Sequence, residues 1–385
     1  MSNPERLVEI LSNKGVLEDS WREAVGSVRR EWFLPEAMET SGRVVSRAAD
    51  PEGWMVAAYG DLALVTQVND GRGVGDRDEG EYRLPTSSSS MPSLMLEMLG
   101  LLDVRDRHRV LELGAGTGYH AAWLACRVGG ERVTSVEVDP GLAERAGKNL
   151  AAAGFTPQVV CGDGDLGWAN SAPYDRVVAT YAVPAVPYAW VEQSVVPGGR
   201  IVAPWGGSFF PYSFVALDVV EGAGRGPVAR GRFSGFPAFM RSRNGRPGRG
   251  FLADFLHHRG EEDESRTRIS PRELCGDSDA LFWVGLGMAD AWYLLAEAED
   301  GSGEATLWVL ADDRSSWAAV EFVPGQESYV VGQYGPRRLW DEVEEAYREW
   351  GRLGRPARDR AGLSVTSGGE YVWLDSPARI VRMAP

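Results

Sequence analysis

Cysteine is scarce in this chain of 385 residues: Cys126, Cys161 and Cys275 are odd in number and far apart. Neither a disulfide framework nor a zinc cluster with Cys/His spacing can be built from them. The four histidines are His108, His120, His257 and His258; the adjacent pair reads as surface residues, so no metal site is expected. Lysine is scarcer still, with only Lys14 and Lys148, and the arginine that replaces it reads as compositional bias. No apolar run reaches the roughly 18 residues a membrane span needs, and the N-terminus lacks a basic-then-apolar leader. A cytoplasmic location with no membrane contact is expected. Positive charge is in deficit, at a formal net −15, which repels phosphate and argues against a general nucleic-acid binder.

What is present is an apolar run ending in a glycine-rich turn. Val110, Leu111 and Leu113 read as a short buried strand, and Gly114, Gly116 and Gly118 as a turn that lets backbone approach a ligand without Cβ atoms. A helix over 117–128 would point its first N–H groups at that ligand. The spacing is G-x-G-x-G with Glu112 two residues before it, not the G-x-G-x-x-G of dinucleotide sites. A second strand, 133–138, ends near Glu137, 19 residues beyond Gly118, where a carboxylate can accept both hydroxyls of a ribose. Asp163 and Asp165 follow a third strand at 158–161.

Length predicts about two domains. Helices are expected at 6–11 and 21–28, the second opened by a Ser20/Glu23 capping box, with an aromatic end at 28–35. Residues 41–81 read as loop-rich, and 71–80 as polar and mobile. The hydroxyl-rich stretch 85–93 leads into an apolar helix at 94–102, with Pro92 near its start and a serine as its cap. Strands and helices then alternate through 141–153, 175–180, 188–195 and 200–204, the pattern of an α/β doubly wound parallel sheet. Residues 212–220 and 228–233 would complete it as an antiparallel edge. Beyond Gly235, residues 241–249 and 261–266 read as a charged linker or exposed insertions. Strands at 281–286, 291–295, 306–310 and 318–322, a helix at 339–350 and a hairpin pairing 363–366 with 371–374 give an α+β second domain. The division expected is 1–235, whose first 90 residues form a helical lid region, and 236–385.

The stretch from Glu112 to Tyr119 resembles the S-adenosylmethionine-binding motif of the class I methyltransferases. More narrowly, Gly162-Asp-Gly-Asp-Leu-Gly-Trp168, then 172–176 and 197–202, resemble the protein-L-isoaspartate O-methyltransferases, as does the aromatic segment Val28 to Pro35. That family carries a Thr-Ile-Ser-Gln-Pro-like segment whose proline stands 22 residues before the first motif glycine, the place Pro92 holds here. The resemblance covers about residues 1–235. It implies a Rossmann-like fold and S-adenosylmethionine as cofactor. Glu112, Gly114, Ala115, Gly116, Thr117, Gly118, Tyr119, His120, Glu137, Val138, Asp163, Gly164, Asp165 and Leu166 would hold it. Ser90, aided by Ser88 and Ser89, would aim the carboxylate that accepts the methyl group, and Asp163 would face the adenine amino group.

Met91 departs from the family's polar residue, and the segment 67–85 and the region after Gly235 depart too. That layout is similar to relatives that act on ribosomally made lanthipeptide, graspetide and lasso peptides. It implies esterification of one aspartate of a modified precursor peptide and closure to an aspartimide. General isoaspartate repair is the alternative reading, and a cofactor-sensing protein without catalysis a third.

Overall fold

The computed structural model describes residues 3–76, 82–222, 224, 226–246, 251–256 and 262–384. In chain order the first part contains α1 (Asn3–Asn13), α2 (Asp19–Ser27), β1 (Ala37–Thr40), β2 (Arg43–Ser46), α3 (Pro51–Ala58), β3 (Leu64–Val68), β4 (Pro85–Ser89) and α4 (Pro92–Leu102). The central part alternates β5 (Val110–Leu113), α5 (Tyr119–Val128), β6 (Val133–Glu137), α6 (Pro140–Ala152), β7 (Gln158–Cys161), β8 (Arg176–Ala179), α7 (Tyr188–Glu192) and β9 (Arg200–Trp205). It closes with β10 (Ser213–Val220) and β11 (Val228–Ser234). Then follow β12 (Asp263–Thr267), α8 (Pro271–Gly276), α9 (Ser278–Gly287), β13 (Ala291–Glu297), β14 (Ala305–Ala311), β15 (Trp317–Phe322), β16 (Tyr329–Tyr334), α10 (Leu339–Arg352), β17 (Ala361–Thr366), β18 (Gly369–Leu374) and β19 (Ile380–Ala384).

The alternation produces the expected doubly wound sheet. β7, β6, β5, β8 and β9 run parallel, and β5, β6 and β8 are buried at every position, as strands covered on both faces must be. β10 and β11 continue it antiparallel but are not its edge: β17, β18 and β19 extend it to ten strands. Four strands from residues 37–89 form a separate sheet, β2-β1-β3-β4, so the described part of the loop-rich stretch, 41–76, holds more strand and helix than its composition implied. Of the expected mobile segment, 77–80 lies outside the described residues, as do His257 and His258. A third sheet, β12-β16-β15-β14-β13, is antiparallel throughout.

Three local readings are corrected. Residues 281–286 form part of α9 and not a strand; Asp277 caps it by accepting from the Asp279 and Ala280 N–H groups. A short apolar run buried on all sides carries no period that separates the two structures. Residues 263–266 lie in β12 and not in a loop. Ser20 does not cap α2; that helix begins at Asp19 with Glu18 at its N-cap and no side-chain cap. Among the described residues no helix is long and apolar enough to cross a membrane.

One hydrophobic cluster joins Leu111 and Val177 of the parallel strands to Phe233, then Phe282 on α9, Val320 on β15 and Trp340 on α10. Glu370 of β18 adds a polar tie between late and early chain. Its carboxylate, 3 % exposed, accepts from the Val186 N–H and from Trp205 Nε1. Burial pushes this carboxyl up to about 7, more than those two hydrogen bonds hold it down. A folded-state pKa raised above the ordinary value means the native state holds the proton more tightly. Its stabilising contribution is therefore present below about pH 4.5 and lost as pH rises through about 7. Glu370→Gln should remove that slope. Between pH 5 and 8 the variant should gain up to about 3 kcal/mol relative to the parent in urea unfolding; parallel stability profiles would overturn the assignment.

Candidate functional site

The carboxyl ends of the parallel strands open into one cavity of about 360 Å³, a size in the range of small-molecule sites. Its floor is the turn after β5. Gly114 sits at φ +96°, where an added Cβ would stand 2.5 Å from Thr180 Oγ1, and Gly116 at φ +53°. The turn is held from outside: Gly114 N donates to Val136 O at 2.8 Å, and Gly116 N donates to Glu137 Oε2 at 2.8 Å.

Glu137 is 6 % exposed and also accepts from Asp139 N at 3.1 Å. Burial raises its pKa, against those two backbone donors and the Arg243 charge. Asp139 caps α6 through the Gly141 and Leu142 N–H groups. Burial alone would raise this carboxyl, but hydrogen bonds from Gln67, Leu142 N–H and Arg243 outweigh it and hold it at about 2. Asp163 Oδ1 accepts from Asp165 N, and Tyr181 Oη donates to Asp165 Oδ1 at 3.2 Å. Burial, then the Asp163 charge, raises the Asp165 carboxyl.

β4 alternates as a strand should: Ser87 and Ser89 are buried, while Ser88 and the following Ser90 are half-buried. The segment is pinned by Arg30, which has no exposed surface. Its guanidinium donates to Ser89 Oγ and to the carbonyls of Ala58, Gly60, Leu62, Ser89 and Ser90, at 2.9 to 3.3 Å. Burial holds Arg30 down at about 10, against the charges of Tyr119 and Asp61. The Ser88 and Ser90 hydroxyls make no hydrogen bond among the described residues. Pro92 is the first residue of α4, as expected, but no serine caps it; Asp61 Oδ1 accepts from Ser93 N.

Ser88, Ser89, Ser90, Gly114, Ala115, Gly116, Thr117, Tyr119, His120, Glu137, Val138, Asp163, Gly164 and Asp165 all line this cavity. Three residues of the expected set do not. Gly118 caps α5 at φ +87°, Leu166 is 69 % exposed outside the cavity, and Glu112 is buried behind it. Ser135 Oγ and His120 Nδ1 are its partners.

The sequence reading missed the other wall. Residues 236–246, which overlap the stretch 241–249 read as a linker or exposed insertion, run across the opening as a strap beside Ala182, whose N–H donates to Met240 O and whose carbonyl accepts from Ser242 N. Arg243 reaches Asp139 at 3.0 Å and Asp70 at 3.2 Å; Arg246 forks onto Asp70; Asn244 Nδ2 donates to Asp163 Oδ2 at 2.9 Å. Only the Asp139-Pro140 helix start offered a sequence signal here. Among the described residues no group of three or more His, Cys, Asp or Glu side chains could hold a metal ion.

A sequence model described as protein-L-isoaspartate(D-aspartate) O-methyltransferase matches residues 51–213. The chain is 35 % identical over 198 residues to protein-L-isoaspartate O-methyltransferase 2 of Archaeoglobus fulgidus, covering 51 % of this chain and 75 % of that protein. It is 36 % identical over 200 residues to the enzyme of that family name from Methanopyrus kandleri, covering 51 % and 74 %. A solved structure named protein-L-isoaspartate O-methyltransferase aligns with 97 % of this chain and 100 % of its own, at a TM-score of 0.52 and 23 % identity. A fold that continues past residue 235 is therefore no mark of the peptide-modifying relatives, which corrects the inference drawn from that departure.

Arg30→Lys keeps the charge but replaces a planar fork of donors with a single ammonium. It should lower stability by about 2 kcal/mol in urea unfolding, since buried carbonyls lose partners. An unchanged midpoint would show that those contacts contribute nothing.

Proposed function

We propose a reaction from the premise that this chain belongs to the protein-L-isoaspartate O-methyltransferase family, and so to the S-adenosylmethionine-dependent class I methyltransferases. The reaction is methylation of the side-chain carboxylate of an isoaspartyl residue in a protein or peptide. The observation that carries it is one cavity that joins the glycine turn, Glu137, Asp163 and the uncommitted Ser90 hydroxyl.

These residues fit the cofactor. Gly114 to Thr117 leave room for its amino-acid part, Glu137 can accept from its ribose hydroxyls, and Asp163 can accept from an adenine amino group. When bound, S-adenosylmethionine supplies an electrophilic methyl group on a sulfonium. The protein's task is then orientation. A carboxylate with an ordinary pKa near 4 is already ionised at neutral pH, so no side chain has to remove a proton. Ser90, with Ser88 beside it, can donate to one carboxylate oxygen and turn the other toward the methyl carbon. Ser89 is spent on Arg30 and sets the position of Ser90. Collinear approach at about 3 Å, held by such contacts, is a large share of the barrier for an in-line transfer. The ester formed has a good leaving group, and the next backbone nitrogen of the substrate can close a succinimide without help from this chain.

Repair of isoaspartyl proteins is the reading we favour, with the fold after residue 235 as an accessory unit to the catalytic one. A second reading, maturation of one modified precursor peptide through an aspartimide, draws its support from Met91 at the cavity wall and from the strap that narrows the opening.

Mass spectrometry after incubation with S-adenosylmethionine and a generic isoaspartyl peptide tests this. A methyl gain followed by loss of methanol is expected. Reaction only with a constrained peptide would shift the assignment to the second reading, and reaction with neither would overturn both. Ser90→Ala should lower kcat about tenfold with little change in the cofactor KM, whereas Glu137→Gln should raise that KM about tenfold.

A further inference from the structure

Phe236 is an aromatic residue left in the open at the cavity. It is 59 % exposed, although it lines the same cavity as Ser90, where Met91, Leu94 and Phe239 of that lining are half-buried. A large ring in water forfeits the stabilisation of burial, so a ring kept there is available to an occupant.

The ring is held from behind. The Arg358 guanidinium carbon stands 4.0 Å from its centroid, a contact in which a cation covers one face of the ring. Arg358 is itself buried: its Nη1 donates to Tyr212 O at 2.8 Å and to Ser213 Oγ at 3.1 Å, and its backbone N–H donates to Asp279 Oδ1 at 2.9 Å. Those bonds fix the guanidinium, so the ring stacked on it is posed while its remaining surface stays open. Phe236 and Arg358 both lie beyond residues 51–213, where the family model matches.

The path of the strap decides what that open surface meets. At its start Gly235 abuts α4, where an added Cβ would stand 2.5 Å from Glu97 Oε1. Leu94, three residues before Glu97, lies on the same side of that helix. At its far end Arg243 and Asn244 hold Asp139 and Asp163 on the nucleotide side. Residues 236–239 therefore border the acceptor end. Successive Cα atoms of a peptide are about 3.8 Å apart, so the neighbour of a residue whose carboxylate rests at Ser90 emerges along this wall.

Charge narrows the occupant. Arg358 stands behind the ring and Arg241 lines the same cavity, so a further cation would be repelled, while Met91, Leu94 and Phe239 offer apolar contact. We propose that Phe236, braced by Arg358, is a specificity-determining residue that receives a large apolar or aromatic side chain adjoining the isoaspartyl residue and selects against lysine or arginine there. The inference rests on the acceptor placement of the preceding section. Phe236 touches the substrate but no reacting atom; Arg358 is a positioning residue that acts through it.

Steady-state methylation of isoaspartyl peptides by the full chain tests this, with Gly, Leu, Phe or Lys placed in turn before and after the isoaspartyl residue. In the parent, Leu and Phe should exceed Gly in kcat/KM by about tenfold at one of the two positions, through KM, because contact away from the reacting atoms is uniform binding. Lys there should fall below Leu. Phe236→Ala should bring the Leu-to-Gly ratio to within about twofold of one. Phe236→Leu, which keeps an apolar contact, should retain part of the ratio and carries the test if the alanine variant does not fold. Arg358→Met removes the charge behind the ring and should narrow the gap between Leu and Lys peptides. Each readout is a ratio between two peptides on one enzyme, so a general loss of activity does not mimic it. Equal kcat/KM for Gly, Leu and Phe in the parent, a preference for Lys, or a Leu-to-Gly ratio unchanged in Phe236→Ala would overturn the proposal while leaving methylation intact. A parent that methylates no isoaspartyl peptide would instead overturn the reading of the preceding section, and this inference with it.

Discussion

A guanidinium with no route to water is the constraint on which this site depends. Arg30 stands at the end of the N-terminal helices and spends its donors on one hydroxyl and five carbonyls, drawn from residues 58–62 and 89–90. Burying such a charge is unfavourable unless every donor is met, so these segments have one arrangement that satisfies it and many that do not. β4 and the start of α4 are thereby fixed against the glycine turn, with Ser88 and Ser90 toward the cavity. The cation–aromatic contact with Tyr119, 5.6 Å from the ring centroid, ties the same guanidinium to the first turn of α5. One side chain thus relates the hydroxyls to the glycine floor.

The opposite wall is organised by pairs that are distant in sequence. Arg243 and Asp139 are 104 residues apart, Arg246 and Asp70 176. The strap carries cations and its three anchor points carry anions: Asp70 on the loop after β3, Asp139 at the cap of α6, and Asp163 past β7, the last held by Asn244. These pairs are partly exposed, so each contributes modestly to stability. Their common effect is geometric, since together they bring the loop after β3, the helix cap and the strap to one opening.

The central α/β alternation was legible because its strands are short apolar runs, β5, β7 and β9 closed by Gly and β6 by Asp-Pro shortly after, with helical stretches between them. The glycine turn and Glu137 were singled out by short spacing along the chain, and Ser90 and the adenine role of Asp163 by the family resemblance; all of these positions except Gly118 line the cavity. Arg243, Asn244 and Arg246 were not singled out, because a charged, glycine-rich stretch reads as a linker until its partners are brought beside it. Glu112 shows the reverse case. The motif brought it forward as a ligand-binding group, and the fold turned its carboxylate inward onto Ser135 and His120. The segment 281–286 failed at a lower level, since an apolar run on every face of α9 has no period to detect.

What remains uncommitted in the cavity bears on the kind of reaction it can serve. The carboxylates of Glu137, Asp139 and Asp163 accept from backbone or side-chain donors, and Tyr181 donates to Asp165. His120 leans on Glu112. The groups facing the acceptor side are the hydroxyls of Ser88 and Ser90, which at neutral pH donate hydrogen bonds but do not take protons. An alcohol or ammonium substrate would have to lose a proton during methyl transfer, and those two hydroxyls do not take it up. A carboxylate arrives without that proton and needs only to be turned. The Ser88 and Ser90 hydroxyls therefore suit the orientation of an acid.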